Sequence, residues 1–321
     1  MKSTNKTLTL SLICAAALAA CGGGGGGTTT TAPTVTTPPV PVAQSTIVTS
    51  VPAATYPAGS DERAAYDLLN AERQKCGFGL LAQNTKLDAA AAAHSNYQLV
   101  NNIPSHFETQ GFPGFTGINV VARANAQSYG GSGVGEDIAF NLRGLESMRG
   151  LFTAPYHLSG LASDLLDVGM SFNSTQLSQQ IRSALTVDLG IQPSKVAQAS
   201  VPGSVLTYPC DAVVDLKPNF TEIPNWAAAS GNGAGGTPVY VVASNKEALI
   251  VTSASITPSG GGVVPVQVLT SANDPNKILQ AHQALVIPPS SLVANTTYRV
   301  QISGTVGGAA FSKDFTFKTG I

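Results

Sequence analysis

The spacing of apolar and polar positions changes character near the middle of the chain. From residue 61 to about 152 the apolar residues recur at helical spacing. The stretch "DERAAYDLLNAERQKC" (61–76) sets Ala65, Leu68 and Leu69 on one face. It opens on Asp61 and Glu62, where the helix dipole favours acids, and stops at Gly77, which is free to adopt a left-handed cap. "NTKLDAAAAAHSNYQLVNN" (84–102) predicts a second helix, with Asn84 as its cap, Leu87 opening its apolar face and an alanine run of high helix propensity. "INVVARANAQSYG" predicts a shorter third helix ending at Gly130, and "GLESMRGLF" a fourth. Beyond them the period shortens. "DVGMSF" (167–172), "SALTVDLG" (183–190) and "SVLTYPC" (204–210) are short β-rich runs bounded by Gly, Pro or Asn. After "AAASGNGAGG", residues 237–321 alternate almost throughout, with turn signals at regular intervals, which predicts a small antiparallel β-sandwich. The fold class read from these patterns is α+β. A helix-then-strand body spans 59–225, a linker 226–236, and an all-β sandwich 237–321.

The first residues have a different texture. "MKSTNKTLTLSLICAAALAAC" has a basic start at Lys2 and Lys6 and an apolar run too short for the roughly 20 residues of a spanning helix. It has the shape of a secretory signal peptide, 1–20. Leu18-Ala19-Ala20-Cys21 resembles the bacterial lipobox, in which Cys21 would be acylated, and Gly22 after it suits the outer membrane of a Gram-negative cell. Several acyl chains, at about 0.8 kcal/mol per buried CH₂, would hold the protein on the membrane. Residues 21–58 read as a Gly-rich then Thr/Pro-rich tether.

Charge and cysteine content narrow the partners. The net charge is −1, and removing 1–20 takes two lysines and no acid, so nucleic acid is not an expected partner. Of four cysteines, Cys14 falls in the signal peptide and Cys21 at the lipobox. The remaining pair, Cys76 and Cys210, in an exported chain predicts a disulfide in preference to two free thiols.

Several motifs in the first body carry a resemblance. Asn70 to Arg73, the step from Leu80 to Leu87, Ser105-His106, Gly135-Glu136-Asp137-Ile138-Ala139 and Pro155-Tyr156-His157 follow in the order and spacing of the CAP superfamily. That superfamily comprises cysteine-rich secretory proteins, insect venom antigen 5 and pathogenesis-related protein 1-like proteins. The resemblance covers about residues 61–210, and implies an α-β-α sandwich whose cleft is lined in eukaryotic members by two His and two Glu. Carried over, these are His106, Glu136 and His157. The second Glu has no counterpart, because "MRGLFTAPYH" holds no acid at its place. Glu108 and Glu146 are the candidate substitutes, and Asp137 stands where the family usually has Asn. The C-terminal part resembles bacterial Ig-like modules, with Tyr298 at the tyrosine-corner position.

Two imidazoles and one carboxylate suffice in chemical type for Zn²⁺ or another divalent metal with an open position for water. Without metal, the same residues could bind a ligand by hydrogen bonds, or form a polar network that only fixes core geometry. His94 lies on the Leu87 face of its helix, in a position typical of a packed core histidine, with cleft membership as the alternative. His282 is expected on a strand or the surface of the sandwich, and Trp226 to pack at the junction. No nucleophile motif such as G-x-S-x-G is present. The expected function is an envelope lipoprotein whose cleft binds a small or lipid-like ligand, a divalent metal or an envelope partner. The alternatives are a metal-assisted hydrolase using His106, Glu136 and His157, and a purely structural or adhesive protein. Substituting Cys21→Ser should release the protein from the membrane fraction into the soluble fraction; unchanged fractionation would refute acylation at this residue.

Overall fold

The computed structural model describes residues 45–321, except 132, 178, 179 and 228–232. The signal peptide, Cys21 and the first part of the tether lie outside the described residues. The tether expected to run to residue 58 does not do so. Residues 45–58 lie along the body: the Thr46 amide donates to the Ala199 carbonyl, the Leu80 amide donates to the Val48 carbonyl, and Tyr56 is buried in the core. The Tyr56 hydroxyl donates to Asp88 at 2.5 Å, which satisfies its polar tip while the ring packs.

In chain order the first body runs α1 (Asp61–Cys76), β1 (Ala82–Gln83), α2 (Thr85–Asn101), α3 (Val120–Ala126), β2 (Gly133–Phe140), α4 (Gly144–Leu151), α5 (Pro155–Leu161), β3 (Asp167–Leu177) and β4 (Gln180–Ile191). The four predicted helices are present. The short α5 and the edge strand β2 are additions to the pattern read from sequence. The sheet order is β1-β3-β4-β2, antiparallel apart from the short β1–β3 pair. Helices cover both faces. Leu69 of α1, Met148 of α4 and Leu158 of α5 share one apolar cluster with Leu185, Val187 and Leu189 of β4, while Leu87 of α2 and Ala124 of α3 form a second cluster. Small residues set the spacing on the α2 side. A Cβ on Gly169 of β3 would lie 2.2 Å from the Asp88 amide, so only glycine lets the strand come this close to α2.

Arg73 explains why α1 sits where it does. It is 1% exposed, and its guanidinium donates to the carbonyls of Phe78, Gly79, Leu161 and Ser163. Burial lowers its pKa to about 9, so it stays charged at neutral pH and ties α1 to α5.

The remaining strands are β5 (Val205–Tyr208), β6 (Val213–Leu216), β7 (Asn219–Thr221), β8 (Ala234–Gly236), β9 (Val239–Ala243), β10 (Leu249–Pro258), β11 (Gln267–Thr270), β12 (Gln283–Ile287), β13 (Thr297–Val306) and β14 (Ala309–Thr319). They form two four-stranded sheets, β10-β13-β14-β6 and β11-β12-β9-β5, and a β7–β8 pair. Here the structure moves the expected boundary. β5 and β6 were placed with the first body, yet β5 pairs with β9 and β6 runs parallel to β14. Pairing with the buried β9 and the long, alternating β14 gives their backbone groups partners in the second body. Nor is 226–236 a bare linker: Trp226 is 2% exposed, its indole N–H donates to the Gly233 carbonyl at 3.1 Å, and Gly235 pairs with Phe220. The Tyr298 hydroxyl accepts from the Val293 amide at 2.8 Å.

Cys76 and Cys210 form a disulfide with Cα atoms 5.4 Å apart, fastening the end of α1 to the residue just past the β5 segment. The bond spans 134 residues. Constraining so long a loop in the unfolded chain stabilises by at most about 4–5 kcal/mol. The double substitution Cys76→Ser, Cys210→Ser should therefore lower the urea midpoint markedly without changing the native circular dichroism. An unchanged midpoint would show that the bond contributes nothing to the folded state.

Candidate functional site

The loop 102–118 begins where α2 ends. Asn102 takes the left-handed conformation, φ 54°, and turns the chain back over the helix. The loop is pinned by Glu108, which is buried. Its carboxylate accepts from the amides of Thr116 at 2.6 Å and Gly117 at 3.0 Å, and from His94 Nδ1 at 2.8 Å. His94 Nε2 lies 2.9 Å from the Ser105 carbonyl and 3.7 Å from Glu136. His94 and Glu108 are thus a fully buried pair beneath the site that fixes the loop, while His106, next along it, stays 44% exposed.

Glu136 on β2 is the centre of the arrangement. Its Oε1 accepts from His106 Nδ1 at 2.9 Å, and its Oε2 from Arg123 Nη2 at 2.5 Å. Burial works against the carboxylate. The His106 hydrogen bond, together with the charges of His94 and Arg123, outweighs burial and holds its pKa below the ordinary value. Arg123, from α3, has no exposure; it also donates to the His106 carbonyl at 3.2 Å and lies 3.9 Å from Glu108. Because Glu136 accepts, Nδ1 of His106 carries the proton and Nε2 is left unbonded at the mouth.

His157, on α5, faces His106 with ring centroids 6.2 Å apart and planes at 31°. Its Nδ1 lies 2.7 Å from Glu222 Oε1, but off the line of the ring N–H, so the contact acts as an ion pair. Glu222 follows β7, is fully buried, and accepts from the Tyr156 amide at 2.8 Å. Burial alone would lower the histidine's pKa; Glu222, with Asp137 behind it, overcomes this and raises it to about 9. His157 is therefore an imidazolium at neutral pH.

The structure thus brings together His106, Glu136 and His157, with His94 and Glu108 beneath them. It does not bring in Glu146, whose side chain is half exposed on α4 beside Arg149 and Lys217. Arg123 and Glu222 were missed. Arg123 is a charge in the middle of a short apolar helix, a signal that could have been read as a buried partner. Glu222 lies past the region of family resemblance, and only the fold brings it to His157. Asp188 was missed as well. It sits opposite Glu136 in the β2–β4 register, with neither oxygen hydrogen-bonded, and burial with the Glu136 charge drives its pKa well up.

The donor set does not fit a metal ion. Glu136 has both oxygens engaged, one of them by a guanidinium that would repel a cation, and the Nδ1 of His157 faces Glu222. Among the described residues no three His, Cys, Asp or Glu side chains are placed to hold a metal. The tentative Zn²⁺ set of His106, Glu136 and His157 gains no support from this geometry.

Above the two rings opens a cleft of about 490 Å³. Ile138, Phe140, Leu151, Phe220 and Ile223 contribute its apolar walls, and Lys217 stands among them. That is within the range of small-molecule sites, which are mostly apolar with a few placed polar groups.

No family model and no curated protein matches the chain. Among solved structures, it is similar to an extracellular protein containing an SCP domain from Bacillus anthracis, at 21% identity and a TM-score of 0.34, over 41% of this chain and 40% of that one. It is also similar to an outer surface protein from Borrelia burgdorferi, at 16% identity and a TM-score of 0.35, over 41% of this chain and 92% of that one. The chain thus matches less than half the length of the Bacillus protein.

The charge state of His157 has a thermodynamic signature. Its folded pKa, about 9, lies above the ordinary value of 6.5. The stability it contributes is fully present below pH 6.5 and is lost as pH rises through 9. Glu222→Gln should bring the His157 pKa down to 6.5 or lower, read by NMR titration, and flatten stability between those two pH values. An unshifted titration would mean that Glu222 does not set the charge.

Proposed function

We propose that this protein is an exported, lipid-anchored envelope protein with a CAP-like first body and an Ig-like second body, and that its cleft binds a small amphipathic ligand with an anionic head. The leader and Cys21 support export and anchoring, and the motif order from Asn70 to His157 supports the CAP-like reading. The Tyr298–Val293 bond and the alternating strands support the Ig-like one.

One observation carries the ligand reading. Two imidazoles, each braced by a buried carboxylate, face one another at the floor of an apolar-walled cleft. His157 keeps both ring protons at neutral pH and can donate to an anionic head, while the apolar walls accept a hydrocarbon body.

The test is calorimetric titration with dodecanoate. It should bind wild-type protein saturably and lose about tenfold or more in affinity with His157→Gln, since a charge-assisted hydrogen bond contributes about 1.5–3 kcal/mol. Dodecanol should bind more weakly and be insensitive to that change, and a phenylalanine in place of Ala139, which also lines the cleft, should weaken both (Ala139→Phe). If dodecanoate does not bind, or binds all three proteins equally, the reading is wrong.

A further inference from the structure

Asp137 follows Glu136 on β2, so its side chain leaves the strand on the opposite face. The residue is 5% exposed, and its Oδ2 has no hydrogen-bond partner. A buried polar atom without a partner is costly, more so when it carries charge. Its surroundings add to the cost. Burial pushes the Asp137 pKa up to about 7; His157 and His106 act against this, and the Glu222 and Glu136 charges reinforce it.

This side chain lines a second cavity, of about 620 Å³, which neither His106 nor His157 lines. It lies between α5, the segment 196–200 and the ends of β9 and β12. Gly160 brings α5 close against the carboxyl: a Cβ there would sit 2.8 Å from Asp137 Oδ2. Ser163, also on the wall, has a buried hydroxyl without a partner. The other charged groups on the wall do not supply what Asp137 lacks. Lys246 is 62% exposed and lies 3.7 Å from Asp164, and burial followed by the Lys246 charge lowers the pKa of His282. Much of the remaining wall is hydrocarbon, with Ile47, Phe78, Leu165 and Leu189 on it.

We propose that this cavity is a second binding site, for a small organic ammonium ion with an apolar body, whose N–H donates to Asp137. A cation suits the position better than a neutral donor, because it gives the carboxyl a charge-assisted hydrogen bond at the oxygen that has none, whereas His157 and His106 act on Asp137 only through their charge, against Glu222 and Glu136. The proposal is independent of the ligand assigned to the His106–His157 cleft.

The probe is n-hexylammonium, titrated calorimetrically into the full chain at pH 8, with n-hexanol as the neutral counterpart. Hexylammonium should bind saturably and at least tenfold tighter than hexanol. It should lower the Asp137 pKa by more than one unit, read from the carboxyl carbon by NMR. Asp137→Asn should lose at least tenfold in affinity, and Gly160→Ala, which places a methyl against Oδ2, should weaken binding in a protein whose circular dichroism is unchanged. Leu142→Trp, at a part-exposed position that lines only the other cleft, should leave hexylammonium binding intact. Absence of binding, as when solvent alone satisfies Oδ2, would overturn the proposal. Equal affinity for hexanol, or full affinity in both the Asp137 and Gly160 variants, would do the same.

Discussion

The ion pair between Arg123 and Glu136 is the interaction on which the site depends. A carboxylate with almost no exposure cannot stay ionised on its own, and Glu136 is surrounded by other acids. The guanidinium of Arg123 holds it charged at 2.5 Å and also grips the His106 carbonyl. Given that fixed negative charge, the proton on His106 goes to Nδ1, the pKa of Asp188 across the ladder is pushed up, and the buried His94–Glu108 pair can anchor the loop above. Removing the guanidinium would leave two buried carboxylates, Glu108 and Glu136, without their shared cation, a class of change that destabilises by several kcal/mol.

A second constraint comes from the opposite side of the cleft. Tyr156 is held at both ends by the downstream half of the chain: its amide by Glu222, and its hydroxyl by Asp274 at 2.6 Å and Asn276 at 2.9 Å. The neighbouring His157 therefore has both its position and its charge set by residues outside the first body. The two histidines differ accordingly. His106 is hung on a loop and open at one nitrogen, whereas His157 is locked on a helix and protonated at neutral pH.

Much of this was legible in the sequence, for identifiable reasons. Helices α1 to α4 carry strong caps or clear apolar faces, and Ser60, Asn84 and Asn119 do accept the bonds their types suggest. The long C-terminal strands alternate cleanly, and Cys76 and Cys210 were a pair by elimination. β2 was not legible, because "GVGEDIAF" breaks the alternation of a strand with two adjacent acids and two glycines. Those acids were misleading as strand signals for the same reason they matter: they point to opposite faces of an edge strand. The domain boundary failed on non-local pairing. Nothing within "VLTY" or "VVDL" says that their partners lie some 35 and 100 residues downstream, a separation that loop-closure entropy makes unpredictable from local pattern. Glu222 was invisible for the same cause.

The placement of β5 and β6 bears on how this chain can be divided. A fragment cut at residue 225, where composition changes, would keep every residue of the cleft. It would also strip β9 from β5 and β14 from β6, leaving two short strands with buried apolar residues and open backbone edges. Such edges are templates for pairing with other chains. The first body is thus no portable cassette: severed from its neighbour it would trade intramolecular pairing for self-association, and the smallest piece that preserves the chemistry of His157 is one that carries both halves.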